Sequence, residues 1–287
     1  MNLIPLLKSV KPIVDFLSVP LYMIRRIPHS LGYNTYKWNF IDKVISDKQI
    51  LEKFNNKSIP TNFGISLDER VVEYPWIFSN IKNTGKKILD AGSTFNFQSI
   101  VNHPFFINKK LHIYTFYPEL KNFPSNNVIY SYGDLRSMPY ENNSFDVVVS
   151  HSTIEHIDMD NSMYGYDLKY NENKQVKSYE YLKAVSEFER VLNKGGELLI
   201  TFPFGKFKNY GFFQQFDLEM VNRIEEYLSN MGHFEVQYIM YTQDGWKFSD
   251  AEECKDIVSY NPHTGEGKGN DSAAHCRCVC CIKWQKY

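Results

Sequence analysis

The stretch Lys86-Lys87-Ile88-Leu89-Asp90-Ala91-Gly92-Ser93-Thr94-Phe95-Asn96 constrains this chain more than any other. A basic start, a short apolar run, an acid and a small glycine-bearing turn form the pattern of a buried parallel strand leaving an α/β sheet. In open sheets of this kind the ligand crevice lies just past the carboxyl end of such a strand. Ala91, Gly92, Ser93 and Thr94 are small enough to let a ligand approach the backbone. Asp90 adds one negative charge there, which suits a ligand carrying positive charge better than it suits a pyrophosphate.

The remaining apolar spacing supplies the partners of that strand. Residues 110–116 alternate and are β-rich, residues 127–131 make a short third strand, and Ser144-Phe145-Asp146-Val147-Val148-Val149-Ser150-His151 reads as a turn followed by a fully buried fourth. A helical stripe from Tyr179 to Leu192 breaks at Asn193-Lys194-Gly195-Gly196 and feeds a fifth strand, Glu197 to Phe202. A helix from Asp217 to Leu228 and two late strands, 234–241 and 275–284, close the chain. Further helices are expected over 40–54, 67–78 and 97–102. Strands alternating with helices predict an α/β fold with a mainly parallel sheet, an antiparallel C-terminal strand and helices on both faces. The expected organisation is an N-terminal helical extension, 1–67, and one domain, 68–287, with loop insertions at about 158–178 and 203–216. The first insertion is either a surface loop or a lid over the crevice.

Charge and cysteine usage narrow the class. Lys+Arg 32 against Asp+Glu 33 leaves a formal charge of −1 with no basic stripe, so nucleic acid is not an expected partner. Four of the five cysteines crowd near the C-terminus rather than forming a spaced framework, which points to a reducing, cytoplasmic setting. In the N-terminal segment Leu3, Leu7, Val10, Ile13, Val14 and Leu17 recur at helical spacing opposite Lys8, Lys11 and Asp15, with Pro5, Pro12 and Pro20 interrupting. No secretory signal or membrane span fits this pattern. Docking on the protein's own core is the favoured reading. Peripheral contact of residues 1–28 with the inner face of a membrane is the alternative, kept open by Arg25 and Arg26.

Four features in order resemble class I S-adenosylmethionine-dependent methyltransferases over roughly residues 68–284, in a Rossmann-like assignment. They are Ile88-Leu89-Asp90-Ala91-Gly92-Ser93; Gly133-Asp134-Leu135 after the third strand; Ser144 to Val149 with Ile154-Glu155-His156-Ile157; and Phe188 to Gly196 before the fifth strand. The family's glycine loop usually continues Gly-x-Gly-x-Gly, whereas Ser93, Thr94, Phe95 and Asn96 stand after Gly92 here. The acid that usually ends the second strand is replaced by Phe116-Tyr117-Pro118, with Glu119 slightly late. Glu69-Arg70, Glu73-Tyr74-Pro75-Trp76, Pro203-Phe204-Gly205, Gln215-Phe216-Asp217, Gly245-Trp246 and Ala273-Ala274 resemble, more narrowly, methyltransferases of bacterial surface-glycan and small-molecule biosynthesis.

That resemblance implies S-adenosylmethionine as cofactor and an acceptor that is a small molecule or glycan precursor, methylated on a hydroxyl. Asp90 is then placed for the methionine end, directly or through water. Gly92, Ser93 and Thr94 offer donors to its carboxylate at a helix start. Glu119 stands in for the ribose acid, and Asp134 with Leu135 takes the adenine. The competing reading of Asp90 is a turn acid that caps the next helix. His151, Glu155 and His156, after the fourth strand, are the candidates to take a proton from the acceptor, although His156 could equally pack or cap. Glu155-His156 is not read as a metal site. Cys276, Cys278 and Cys280 alternate on one face of an expected strand and read as small hydrophobes rather than a zinc site. Tyr164, Tyr166 and Tyr170 could stack on a sugar. Lys206, Lys208, Tyr210 and Gln214 lie in the second loop expected over the crevice. The rival functions are a non-catalytic binding or scaffold protein that kept the fold and, with Gly-x-Gly-x-x-Gly absent, less readily a nicotinamide-dependent enzyme.

Overall fold

A computed structural model describes residues 18–82, 84–125, 127–166, 168–170 and 172–287. The apolar stripe of residues 1–17 lies outside the described residues. The chain opens with helical residues 18–25 (α1), then α2 (Tyr33–Ser46) and α3 (Lys48–Asn55). One helix was expected over 40–54. The break falls at Asp47, which is extended and whose carboxylate accepts the amides of Gln49 and Ile50, so it caps a new helix. Helix α4 (Arg70–Asn80) leads into the sheet.

The strands are β1 (Lys87–Ala91), β2 (Lys110–Thr115), β3 (Val128–Tyr132), β4 (Phe145–His151), β5 (Leu192–Pro203), β8 (Gly232–Thr242), β9 (Gly245–Ser249) and β10 (Cys278–Lys286). Short strands β6 (Lys208–Asn209) and β7 (Gln214–Gln215) form a separate ribbon. Helices α5 (Gln98–Val101), α6 (Tyr181–Val191), α7 (Leu218–Leu228) and α8 (Ala251–Cys254) complete the set. The main sheet has eight strands in the order β3-β2-β1-β4-β5-β10-β8-β9. Strands β3 to β5 pair in parallel, and β10 inserts antiparallel between β5 and β8. The expected mainly parallel Rossmann-like sheet with an antiparallel C-terminal strand is therefore present.

Alternation along the strands splits the apolar residues between two cores. Ile88, Val147, Val149, Leu199 and Cys281 join α2, α3 and α4 on one face, whereas Leu89, Val148, Leu198, Ile200 and Cys280 join α6 and α7 on the other. Tyr22, Tyr33, Ile41 and Phe54 of the extension share the first core with Val71 and Trp76. The cysteines correct one expectation. All five are buried and unpaired, but Cys276 packs in the first core and Cys278 and Cys280 in the second. Strand β10 begins only at Cys278, so the alternation does not reach back to Cys276. Among the described residues no group of three or more His, Cys, Asp or Glu could hold a metal ion.

The order of connection reverses at β1, with β2 on one side and β4 on the other. Strands diverging in this way open a crevice at their carboxyl ends.

Candidate active site

A cavity of about 290 Å³ occupies that crevice. The turn after β1 contributes Gly92 and Thr94, the end of β2 Thr115 and Phe116, and the end of β3 Gly133 to Arg136. Beyond β4 come Ser152, Thr153 and His156. The insertion over 158–178 closes the cleft with Asn161, Tyr164, Tyr166, Leu168 and Lys169, so it acts as a cover rather than a remote surface loop. Its far end is clasped: Ser178 donates its amide to the Gln214 side chain at 3.1 Å and accepts from it at 2.9 Å. Gln214 is thus a brace, not a ligand donor. Lys208 pairs with Glu266, and Tyr210 donates to the Ser259 carbonyl, which likewise ties down the second loop. Lys206 and Tyr170 do not line the cavity.

The turn after β1 departs from expectation in how its donors are spent. Asp90 is fully buried and does not line the cavity. Its carboxylate accepts the Thr94 amide (3.2 Å), the Thr94 hydroxyl (3.1 Å) and the Phe95 amide (2.7 Å). Asp90 therefore organises the turn, and direct contact with a ligand from this position is not made. Burial pushes its carboxyl up to about 7 despite those donors. The Gly92 amide donates to the Tyr114 carbonyl. The donors of Gly92 and Thr94 that were expected to face a ligand carboxylate are thus engaged within the protein. No helix starts there either, since α5 begins only at Gln98 and is four residues long. What remains is a cradle. Gly92 has φ 132° and a Cβ there would lie 2.0 Å from the Thr153 hydroxyl, so only glycine fits. Ser93 sits at φ 63° with its buried hydroxyl lacking a partner among the described residues.

Arg70, at the start of α4, is a cation of the same cavity wall whose role the sequence did not disclose. It lines the cavity and donates to Glu73 at 3.2 Å. Glu73 is fully buried, and its second task is to hold the floor: it bonds His151 Nε2 at 2.9 Å and accepts the Ser152 hydroxyl at 2.5 Å. Burial alone would raise the Glu73 carboxyl, but His151 and Arg70 outweigh it and hold it below the usual range. His151 is itself fully buried, packs edge-on against Tyr74 and is absent from the cavity wall. The expectation that His151 faces the acceptor is corrected: the strand's last side chain turns inward, toward α4. Glu155 is also buried and off the cavity wall. Burial raises its carboxyl well above the normal range, and from its place off the cavity wall it does not reach an acceptor there.

His156 is the candidate that reaches the cleft. Its Nδ1 lies 2.6 Å from the Phe212 carbonyl. A carbonyl only accepts, so Nδ1 carries the proton and Nε2 presents its lone pair. Burial lowers the ring's pKa to about 4, keeping it neutral. Tyr164 stands edge-on to the ring at 5.4 Å.

Asp134 and Leu135 also line the cavity. Arg136 occupies most of the Asp134 carboxylate, through its backbone amide (2.8 Å) and a forked guanidinium contact reaching 2.7 Å. Glu119 also lines the cleft and accepts from Asn96 at 2.7 Å. Phe116, where an acid was expected, stacks obliquely with Tyr166. The cleft thus offers an aromatic slot lined by the acids Glu119, Asp134 and Asp158 and by the cations Arg70, Arg136 and Lys169, which suits a ligand carrying both an aromatic base and charged groups.

Compared with known proteins, residues 117–200 match a family described as a methyltransferase domain. No curated protein matches the chain in sequence. Among solved structures, an S-adenosylmethionine-dependent methyltransferase of Methanosarcina mazei is 12% identical, with a TM-score of 0.42 over 74% of this chain and 97% of its own. One from Thermotoga maritima is 14% identical, with a TM-score of 0.39 over 87% and 100%. The Burkholderia thailandensis 1,6-didemethyltoxoflavin-N1-methyltransferase, solved with S-adenosylhomocysteine, is 10% identical, with a TM-score of 0.37 over 70% of each chain. Likeness at this level is general, and the weight rests on the strand order, the cleft at its switch point and the matched segment. Residues 117–200 thus resemble a methyltransferase domain, within a Rossmann-like sheet whose switch point carries the cleft.

Proposed function

We propose that the chain is an S-adenosylmethionine-dependent methyltransferase that methylates a hydroxyl of a sugar, a glycan precursor or another small polar metabolite, with His156 taking the hydroxyl proton. The observation that carries this reading is the fixed ring of His156 in the cleft wall, its Nδ1–H tied to Phe212 and its Nε2 left with a lone pair, 3.9 Å from Glu155 Oε1. A neutral alcohol is a poor nucleophile, and a lone pair held in place accepts its proton as attack proceeds. Tyr164 and Tyr166 cover the cleft, and the rings of Phe116, Tyr117 and Tyr166 form one aromatic group beside it. Such faces favour the flat C–H surface of a sugar. When bound, S-adenosylmethionine supplies the activated methyl group. Arg70 would hold its carboxylate, Gly92 would admit its backbone-facing edge, and Glu119, Asp134 and Leu135 would flank its nucleoside.

Calorimetry with S-adenosylhomocysteine tests the cofactor half of this reading. Arg70→Met should weaken binding about ten- to a hundred-fold, the loss of one charge-assisted contact; unchanged affinity removes Arg70 from the site. Product mass spectrometry across candidate sugars and alcohols tests the acceptor half. His156→Gln should lower kcat with little change in S-adenosylhomocysteine affinity. Because protonation silences this base and its pKa is drawn down to about 4, the ring should stay neutral from pH 8 to about 5. An imidazole NMR titration that instead centres near the reference value of about 6.5 would refute the environment assigned to it. An enzyme that binds the cofactor yet methylates nothing, with His156 substitutions silent, would return the non-catalytic alternative.

A further inference from the structure

We propose that residues 23–31 form a face that docks on an anionic lipid surface. Four large apolar side chains stand in water within this short stretch: Met23 is 50% exposed, Ile24 82%, Ile27 54% and Leu31 61%. Single exposed apolar residues are ordinary, but a cluster this dense marks a surface that meets something. Charge selects the partner. From Phe16 through Ile41 the chain contains no Asp or Glu, although the protein as a whole carries a net charge of −1. Arg25 is exposed in the middle of the patch, and the Arg26 guanidinium is held at its edge over the Tyr36 ring. Apolar side chains flanked by arginines with no acid among them match a membrane interface carrying anionic headgroups.

The patch is not loosely attached. Tyr22 donates to the Ser66 carbonyl at 2.9 Å, His29 Nε2 to the Ala274 carbonyl at 2.7 Å, and Tyr33 to Asp68 at 2.7 Å. The first and third of these seat the segment on residues 66–68, which run directly into Arg70 and the cleft, and the second ties it to the residues just before β10. Insertion across the bilayer is a different matter: among the described residues no helix is long and apolar enough to cross one. The contact would be peripheral, shallow and reversible.

Flotation of the full chain with lipid vesicles tests this without cofactor or acceptor, so its outcome is separate from that of the proposed reaction. The protein should rise with vesicles of phosphatidylcholine and phosphatidylglycerol, and less with phosphatidylcholine alone. High salt should reduce the anionic component, since exposed charges are screened. Arg25→Glu should weaken partitioning by more than about five-fold, the contribution of one basic residue near such a surface. Ile24→Glu with Ile27→Glu should abolish it. Both variants alter only exposed side chains, so their S-adenosylhomocysteine affinity should equal that of the wild type, which also verifies folding. Wild-type protein that stays below the anionic vesicles overturns the proposal, whether residues 1–17 or a second copy covers the patch instead. So do folded variants that float as the wild type does.

Discussion

At the scale of single residues, the site depends on buried charges whose partners are fixed. Asp90 is a case where an isosteric change should be costly. In Asp90→Asn an amide nitrogen replaces one oxygen, yet both oxygens of Asp90 now accept donors from Thr94 and Phe95. One N–H must then face another, which costs about 1–3 kcal/mol. Urea unfolding should show that loss, with weaker S-adenosylhomocysteine binding as the turn loosens; a neutral result would mean that the turn holds without its carboxylate. Glu69 and His275 form a second pair, 3.0 Å apart. Burial opposes both charges, but each outweighs that penalty for the other, so Glu69 is lowered and His275 raised. The imidazolium contribution is complete below the unfolded histidine value of about 6.5 and disappears as pH rises through the higher folded value. The carboxylate contribution is present above about 4.3 and disappears as pH falls through the lowered folded value. The stability advantage of wild type over His275→Gln should therefore be larger at pH 6 than at pH 9 in matched denaturation curves. A constant difference would show that His275 acts through packing alone.

At the scale of elements, strands were easier to foresee than the loops that make the site. Val147-Val148-Val149 and Ile88-Leu89 are continuous apolar runs because both faces of a central parallel strand are covered. Strand β9 escaped notice although Asp244-Gly245 is a hairpin signal, and Gly245 does take a positive φ of 92°. Arg70 was legible as a letter but not as a role. Its importance comes from α4 reaching the end of β4 and the turn after β1, through Glu73 to His151 and Tyr74 to the Thr94 carbonyl, a tertiary fact with no local signature. His151 misled for the complementary reason. Position at a strand's exit says that a side chain is near the cleft, not whether it turns toward α4. The covering loop also draws its order from afar, through Gln214 and through Lys177, which bridges Asp217 and Glu219 on α7 at 2.6 and 2.7 Å. Gln214→Ala removes two buried hydrogen bonds to Ser178, worth about 1 kcal/mol each. Protease sensitivity within 158–178 should rise and KM for the acceptor should increase, while the thermal midpoint of the domain moves little. A large fall in that midpoint would mean that the loop is part of the cooperative core.

At the scale of the whole molecule, two cores share one sheet, and β10 is the strand that joins its parallel and antiparallel halves. Trp284 on β10 is fully buried and donates to the Leu228 carbonyl at the end of α7. Trp284→Ala should cost about 3–5 kcal/mol, a large share of the about 5–15 kcal/mol that holds a typical domain. Where that loss is felt distinguishes two organisations. The extension at 1–67 was expected as a lead-in to the domain at 68–287 rather than as a separate domain. Its Tyr22, Tyr33, Ile41 and Phe54 pack in the same core as Ile88, Val147 and Leu199 of the sheet. If that core is shared thermodynamically, destabilising β10 should unfold α2 and α3 along with the sheet in one transition. Trp38, on α2 and ring to ring with Phe97 beside the first turn, offers a local fluorescence probe once the other tryptophans are replaced. Its signal, the far-ultraviolet helix signal and S-adenosylhomocysteine binding should then share a midpoint. Ligand at about a hundred times its Kd should raise that midpoint for all three probes together, through the ~2.7 kcal/mol that binding adds to the native state. An α2 signal that unfolds apart from ligand binding would divide the chain near residue 67.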